Sequence, residues 1–342
     1  MQKLKVGIIG FGKMGLLHAG IFNNLEGTTV TAITEKKKLI ILFLKKYFSG
    51  ISVYQDFHEM LDKENLDVVV ITTPVFLHKR MIEFAMKQNV HIFVEKPLTK
   101  NGVESTEILQ QPYSKKSLVG YCRRFMGTYN LAKEVIDKEL LGRIHYFDSN
   151  LFVSQVFTQG QGWLYDPRMS GGGVLIDLGS HAIDLFHYLF GDIEAVQGTS
   201  KSIFNKEVED YVSVDLNLKK IPFGSLKLSW SVQNYRLPEC KIDITFDYGL
   251  ITVTEKYLTI HSEREIDFLK KGVNTYYKQH LTKNVPIDLG GSEYTLEDQH
   301  LVQCIIDGSN SRCDFHEAAK ANTVIDTIYS SIANGKKMNI RY

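Results

Sequence analysis

Cysteine is scarce and scattered in this chain. Cys122, Cys240, Cys304 and Cys313 stand far apart, with no C-x-x-C among them. A zinc framework, a redox dithiol and a disulfide scaffold are thereby excluded as organising principles. No apolar run approaches the ~20 residues of a membrane helix, and the one entered after Lys3 and Lys5 is too short for a secretory core. Excess charge of one sign is missing too: 40 Lys+Arg stand against 39 Asp+Glu, a net +1. That balance gives no footprint for nucleic acid or for an anionic membrane. Two short basic clusters, Lys36-Lys37-Lys38 and Lys45-Lys46, read as solvated helix faces. Internal repeats and low-complexity linkers are absent. What remains is the expectation of a cytoplasmic globular protein, since 342 residues with 44% hydrophobic content can fill two cores.

Residues 1–120 alternate strand and helix signals. Strands are expected at Leu4–Ile9, Thr29–Ile33, Asp67–Thr72 and Val90–Val94, and helices at Met14–Asn24, Leu39–Tyr47, Asp56–Lys63 and Phe76–Gln88. Continuously apolar strands separated by helices imply a parallel sheet covered on both faces, the doubly wound α/β pattern. Beyond Gly120 the pattern changes. A helix is expected at Tyr129–Glu139, a strand at Ile144–Val153 and one helix over Val174–Phe190. Successive alternating strands then run from Ala195 to about Ser262, the sign of a mainly antiparallel sheet. Helices near Leu296–Asp307 and His316–Ala333 close the chain. The expected domains are 1–120 and 121–342.

Gly10-Phe11-Gly12-Lys13-Met14-Gly15 follows the first strand and opens the first helix. That is the context a dinucleotide fingerprint requires. Gly10 permits the tight turn, Gly12 lets the backbone approach a pyrophosphate, and Gly15 lets helix and strand pack closely. The helix N-terminus offers free N–H groups to phosphate. Glu35 falls 20 residues after Gly15, at the end of the second strand, where a ribose-diol acceptor is expected. A carboxylate there repels a 2′-phosphate and favours NAD. Thr34, Lys36 and Lys37 keep NADP as the alternative. Thr72-Thr73-Pro74 ends another strand, on the edge where ligands bind in such sheets, and forms a second candidate contact.

Glu95-Lys96-Pro97 follows the strand Val90–Val94, so Lys96 is expected at that same edge, near a nicotinamide. Downstream, Asp177-Leu178-Gly179-Ser180-His181 sets a carboxylate and an imidazole four apart, on one face if the segment is α-helical. Histidine is the natural proton acceptor near neutral pH, and a lysine ammonium nearby keeps it neutral. Asp184 falls near the same face. The glycines at 171, 172 and 173 suggest a close approach of backbone to a ligand. Asp177 and His181 have no third ligand at useful spacing, so no metal is expected.

As a set these residues resemble the Gfo/Idh/MocA family, the glucose–fructose oxidoreductase and inositol dehydrogenase group. The resemblance spans essentially the whole chain. It runs through the glycine turn with His18, Thr73-Pro74 with His78, and Glu95-Lys96-Pro97. It continues with Gly120-Tyr121, Arg123-Arg124-Phe125 and Ser170-Gly171-Gly172-Gly173 through Asp177, His181 and Asp184, and reaches Tyr294 and Asp307-Gly308. It implies a Rossmann domain followed by an α/β domain with a large, mainly antiparallel open sheet, assembled as homodimers or homotetramers. It implies that Lys96, Asp177 and His181 surround a secondary alcohol of a sugar, inositol or nucleotide-sugar, and that Lys96–Pro97 is cis. His78 and Glu95 join the cofactor set. Tyr121, Arg124, Tyr165, Arg168 and Tyr294 are the substrate candidates. Two departures stand out: Glu35 replaces the more usual aspartate, and the Gly160–Tyr165 loop matches no named subfamily. Two rival functions share the scaffold: net hydrolysis or elimination through transient oxidation by bound NAD, and a non-enzymatic NAD(P)-responsive regulator.

Overall fold

The computed structural model describes residues 3–342. The chain forms two compact units. The first contains β1 (Leu4–Ile9), α1 (Lys13–Asn24), β2 (Thr28–Thr34), α2 (Lys38–Tyr47), β3 (Ser52–Tyr54), α3 (Phe57–Lys63), β4 (Val68–Ile71), α4 (His78–Lys87), β5 (His91–Val94), α5 (Gly102–Leu109, from Val103) and β6 (Ser117–Val119). Its sheet is ordered β3-β2-β1-β4-β5-β6, and every pairing is parallel. The chain reverses direction across the sheet between β1 and β4, and the carboxyl ends of these central strands flank a topological switch point. Val68 through Ile71 are fully buried, which is why β4 reads as one unbroken apolar run.

The second unit contains α6 (Gly127–Asp137), β7 (Ile144–Phe152), α7 (Pro167–Ser170), α8 (Ser180–Phe190), β8 (Ile193–Lys201), β9 (Tyr211–Leu218), β10 (Phe223–Ser229), β11 (Glu239–Phe246), β12 (Gly249–Val253), β13 (Tyr257–Ser262), β14 (Gly272–Tyr277) and α9 (Lys278–Leu281). With β15 (Met338–Asn339) they make a nine-stranded sheet ordered β14-β13-β12-β11-β7-β10-β9-β8-β15. All neighbours are antiparallel except β7 and β10. Burial alternates strictly along β11, so one face carries the core and the other is open. Phe147, Phe186 and Trp230 are fully buried on the core side, and the Trp230 indole N–H donates to Asp210 at 3.1 Å.

Three expectations are corrected. The boundary lies after Cys122, and residues 284–319 return to the first unit, where α10 (Ser292–Asp307) packs on α1. A pattern read along the chain cannot tell which core an amphipathic helix joins. The closing helix α11 (Phe315–Asn334) passes from the first unit to the second after Ala319. The helix expected over Val174–Phe190 is two segments, a π-helical turn at Leu175–Gly179 and then α8.

Candidate active site

The glycine turn of the first unit uses its three glycines for three different reasons. Gly10 has φ +91°, and a Cβ there would sit 2.9 Å from the Thr73 methyl and 3.2 Å from the Thr72 carbonyl. A Cβ at Gly15 would fall 2.0 Å from the Gly10 carbonyl oxygen, so α1 can approach β1 only without a side chain. A Cβ at Gly12 meets nothing within 4 Å. Open space above the first amides of α1 is the cradle a pyrophosphate fills. Phe11 is buried, while Lys13 is exposed and Met14 half-buried at the head of α1. The Thr72 hydroxyl donates to the Gly10 carbonyl at 2.7 Å, tying the end of β4 to the turn.

Glu35 follows β2 directly. One carboxylate oxygen accepts the Phe11 N–H at 3.1 Å, and the other accepts the Lys36 and Lys37 N–H groups at 2.7 and 2.9 Å. The acid thus stands against the glycine turn as the fingerprint requires, with acceptor capacity left on Oε2.

His78 does not stand at the cofactor edge as expected. It is 1% exposed, with Nε2 at 2.8 Å from the Thr73 carbonyl and Nδ1 at 3.0 Å from the Pro97 carbonyl. Burial lowers its pKa, so the neutral ring donates to one of the two. It braces the loops after β4 and β5. The Lys96–Pro97 peptide is cis.

Lys96 is half-buried at the carboxyl end of β5, and its backbone N–H donates to Glu95 Oε2 at 3.2 Å. Glu95 Oε1 lies 3.2 Å from His18 Nε2, and His18 Nδ1 lies 3.0 and 2.9 Å from the two Asp298 oxygens. Burial alone would depress the imidazole pKa, but Asp298 and Glu95 together raise it well above its ordinary value. His18 is therefore an imidazolium clamped between two carboxylates. Beside it Glu297 is fully buried, and neither carboxyl oxygen has a hydrogen-bond partner among the described residues. Burial raises its pKa well above normal, so it is a neutral acid. His18, Glu297 and Asp298 each bring one ligand-type atom within 4.8 Å of the others. Both nitrogens of His18 face carboxylates, and through Glu95 the cluster is tied to the residue that precedes Lys96. Sequence reading gave Asp298 and Glu297 no role, because their partner lies some 280 residues away.

In the second unit, Asp177 belongs to the π-turn and His181 to the first turn of α8. Between Gly172 and Leu189 only Asp177, His181 and Tyr188 escape full burial. The spacing of 3.6 residues assumed for the pair does not hold across the π-turn, yet both side chains emerge from an otherwise buried segment. Tyr165 packs on Trp230, and its phenol pKa is raised by burial and by the Asp177 charge, which places that carboxylate nearby.

The glycines at 171–173 also differ from expectation. Cβ atoms there would fall 2.2 Å from the Lys100 carbonyl, 1.9 Å from the Tyr329 hydroxyl and 2.2 Å from the Glu209 carbonyl. Protein atoms, not a ligand, occupy the space. Glu209, given no role from sequence, takes the Gly173 and Leu175 N–H groups at 3.0 Å and the Tyr329 hydroxyl at 2.8 Å, and so holds the entry to the π-turn. Arg124 is 3% exposed. Its Nε lies 3.1 and 2.9 Å from the Asp184 oxygens and Nη2 2.8 Å from Oδ1, so it fixes α8 from behind. Arg168 is exposed and pairs with Asp166 at 2.8 Å. In the first unit Tyr121 is 1% exposed, and Tyr294 is half-buried with its ring edge-on to His18 at 6.4 Å.

Residues 4–121 match the oxidoreductase family model described as an NAD-binding Rossmann fold, and residues 129–252 match the Gfo/Idh/MocA C-terminal domain. The chain belongs to the Gfo/Idh/MocA family. Its first unit is that family's NAD-binding domain. It is 29% identical over 229 residues to the scyllo-inositol 2-dehydrogenase (NAD(+)) of Bacillus subtilis, covering 66% of this chain and 65% of that one. It is 24% identical over 235 residues to the myo-inositol 2-dehydrogenase of Thermotoga maritima, covering 65% and 66%. The chain thus spans about two thirds of the length of each of these relatives. A solved levoglucosan dehydrogenase in complex with NADH and levoglucosan shares the fold, with TM-score 0.89 over 100% of each chain at 22% identity.

Proposed function

We propose that the protein is an NAD-dependent dehydrogenase that oxidises a secondary alcohol of a sugar, inositol or nucleotide-sugar. One observation carries this reading. A Gfo/Idh/MocA chain keeps a lysine at the end of β5 and, on a separate buried segment, an aspartate and a histidine whose side chains escape burial. A regulator has no use for that trio.

Gly10, Phe11, Gly12, Lys13, Met14 and Gly15 would hold the pyrophosphate, with Glu35 on the adenosine ribose. Thr72, Thr73, Pro74, Glu95 and Lys96 would border the nicotinamide end. Glu35 supports NAD over NADP, because its carboxylate repels a 2′-phosphate. Bound there, NAD⁺ would supply the hydride acceptor for the carbinol carbon. His181 takes the hydroxyl proton as general base and returns it in the reverse direction. Lys96 donates a hydrogen bond to the same oxygen and stabilises the negative charge that develops there. Asp177 accepts from a neighbouring substrate hydroxyl, with Tyr165 beside it. Arg124 acts through Asp184 by fixing the helix that carries His181.

We further place the protein in the cytoplasm as a homodimer or homotetramer. The open sheet face supports assembly: a cross-strand row runs Phe223, Tyr146, Thr245, Leu250, His261, Val273, and its Phe223, Tyr146, Leu250 and Val273 are exposed. Exposed apolar rows of this size mark interaction surfaces.

Absorbance of reduced cofactor, followed with a panel of inositols, sugars, sugar acids and UDP-sugars and with NAD⁺ and NADP⁺ separately, tests the reading. Reduction of NAD⁺ by at least one polyol is expected. Cofactor binding with silence across the panel would favour transient oxidation or regulation.

A further inference from the structure

Helix α2 turns an apolar face to solvent. Ile41 and Leu44 bury against the unit, but Leu39 is 81% exposed, Leu42 65%, Phe43 51% and Tyr47 61%. Phe48 continues the patch, its ring 5.9 Å from Phe43, while Phe43 and Tyr47 stand 5.0 Å apart. Spacings of three and four make Leu39, Leu42, Phe43 and Tyr47 one continuous stripe. Nothing in the fold of this unit requires it, since the buried side of α2 already satisfies the sheet.

The surroundings are cationic. Residues 36–55 contain five lysines, Lys36, Lys37, Lys38, Lys45 and Lys46, and no aspartate or glutamate. Glu35, the acid next to them, is turned toward the glycine turn, where it accepts the Phe11 N–H. All five lysines are exposed, and the Lys46 ammonium lies 5.0 Å over the Tyr47 ring. The net charge of +1 conceals this local surface, because acids elsewhere balance it.

We propose that α2 is a peripheral docking helix for an anionic lipid bilayer. Leu39, Leu42, Phe43, Tyr47 and Phe48 enter the headgroup–acyl boundary, and the lysines reach lipid phosphates and carboxylates around them. The charge selects this occupant. A second copy packed stripe to stripe would set five lysines against five. A rigid protein interface depletes lysine and favours arginine, yet no arginine occurs in this stretch. Flexible lysine ammoniums suit a fluid array of anionic headgroups. Leucine and aromatic side chains on a basic helix are the usual makeup of an interfacial anchor. The surface is independent of the dehydrogenase reading.

The test is co-sedimentation of the full chain with vesicles of phosphatidylcholine, with and without phosphatidylserine. Binding is expected only with phosphatidylserine, and it should fade as salt rises. Lys45→Glu/Lys46→Glu and, separately, Leu42→Gln/Phe43→Gln should each weaken it by about tenfold or more. Thermal midpoint and NADH affinity should stay at wild-type values in both variants and so exclude misfolding. Failure of the wild type to bind anionic vesicles overturns the proposal, as does binding that survives Leu42→Gln/Phe43→Gln. Self-association abolished by those substitutions, without vesicle binding, would assign the face to a second copy instead.

Discussion

His18 presents Nδ1 to both carboxylate oxygens of Asp298, at 3.0 and 2.9 Å, across 280 positions of sequence. The contact joins α1 to α10, and through Nε2 it reaches Glu95, the residue before Lys96. One buried cation therefore fixes a late helix to the Rossmann core and steadies the end of β5.

Removing that cation leaves two acids without compensation. His18→Leu is expected to destabilise the protein by about 3–5 kcal/mol, the usual cost of breaking a buried ion pair from one side. Denaturant unfolding measures it. His18→Gln, which keeps a donor toward Glu95, should fold better and lower kcat more than it raises KM for NAD⁺. A KM rise with unchanged kcat would remove His18 from the support of Lys96.

The same cluster sets a pH dependence. Burial raises the pKa of Glu297 and lifts that of Asp298 to about 6, and the neighbouring acids raise that of His18, so folding takes up protons. Stability carried by these groups is fully present below their unfolded values and is lost as pH rises through the folded ones. Stability should fall as pH rises above the unfolded carboxyl range, by up to about 1.4 kcal/mol per pH unit for each proton, and the thermal midpoint should fall with it. Glu297→Gln, isosteric with the neutral acid, should flatten the decline. An unchanged slope would show Glu297 ionised in the fold.

Gly12 and Gly15 should respond differently to the same methyl group. Gly12→Ala places Cβ in open space, so stability should hold while NADH affinity drops at least about tenfold, as a methyl intrudes where phosphate meets backbone. Gly15→Ala drives Cβ against the Gly10 carbonyl, and folding itself should suffer by ~1–3 kcal/mol or more. Thermal melts with fluorescence titration of NADH separate the two.

Arg124→Ala strands Asp184 in the core and should cost about 3–5 kcal/mol. Arg124→Ala/Asp184→Asn should recover part of that loss, because the stranded charge is gone. Denaturation midpoints of the two variants check this, and equal midpoints would show that the Asp184 charge is not the source of the loss.

The fingerprint was legible because it is local: strand, glycine turn, helix and Glu35 lie within 35 residues and the backbone alone dictates them. The parallel and antiparallel sheets followed from runs and alternation of apolar residues. What escaped depends on distance. Asp298 and Glu297 act only once α10 returns to α1. The glycines at 171–173 look ligand-facing in sequence, but Lys100, Glu209 and Tyr329 fill that space. His78 carries the signature of a polar contact and serves as a buried brace. The π-turn at Leu175–Gly179 leaves no trace in a pattern read at 3.6 residues per turn.

The most direct measurement compares wild type, Lys96→Ala and His181→Ala on the polyol that best reduces NAD⁺, with NADH affinity determined for each. A loss of roughly 10²–10⁴-fold in kcat at near-normal NADH affinity is expected for both variants. Turnover that survives either substitution, or a loss traced wholly to failed cofactor binding, would contradict their roles at the reacting hydroxyl.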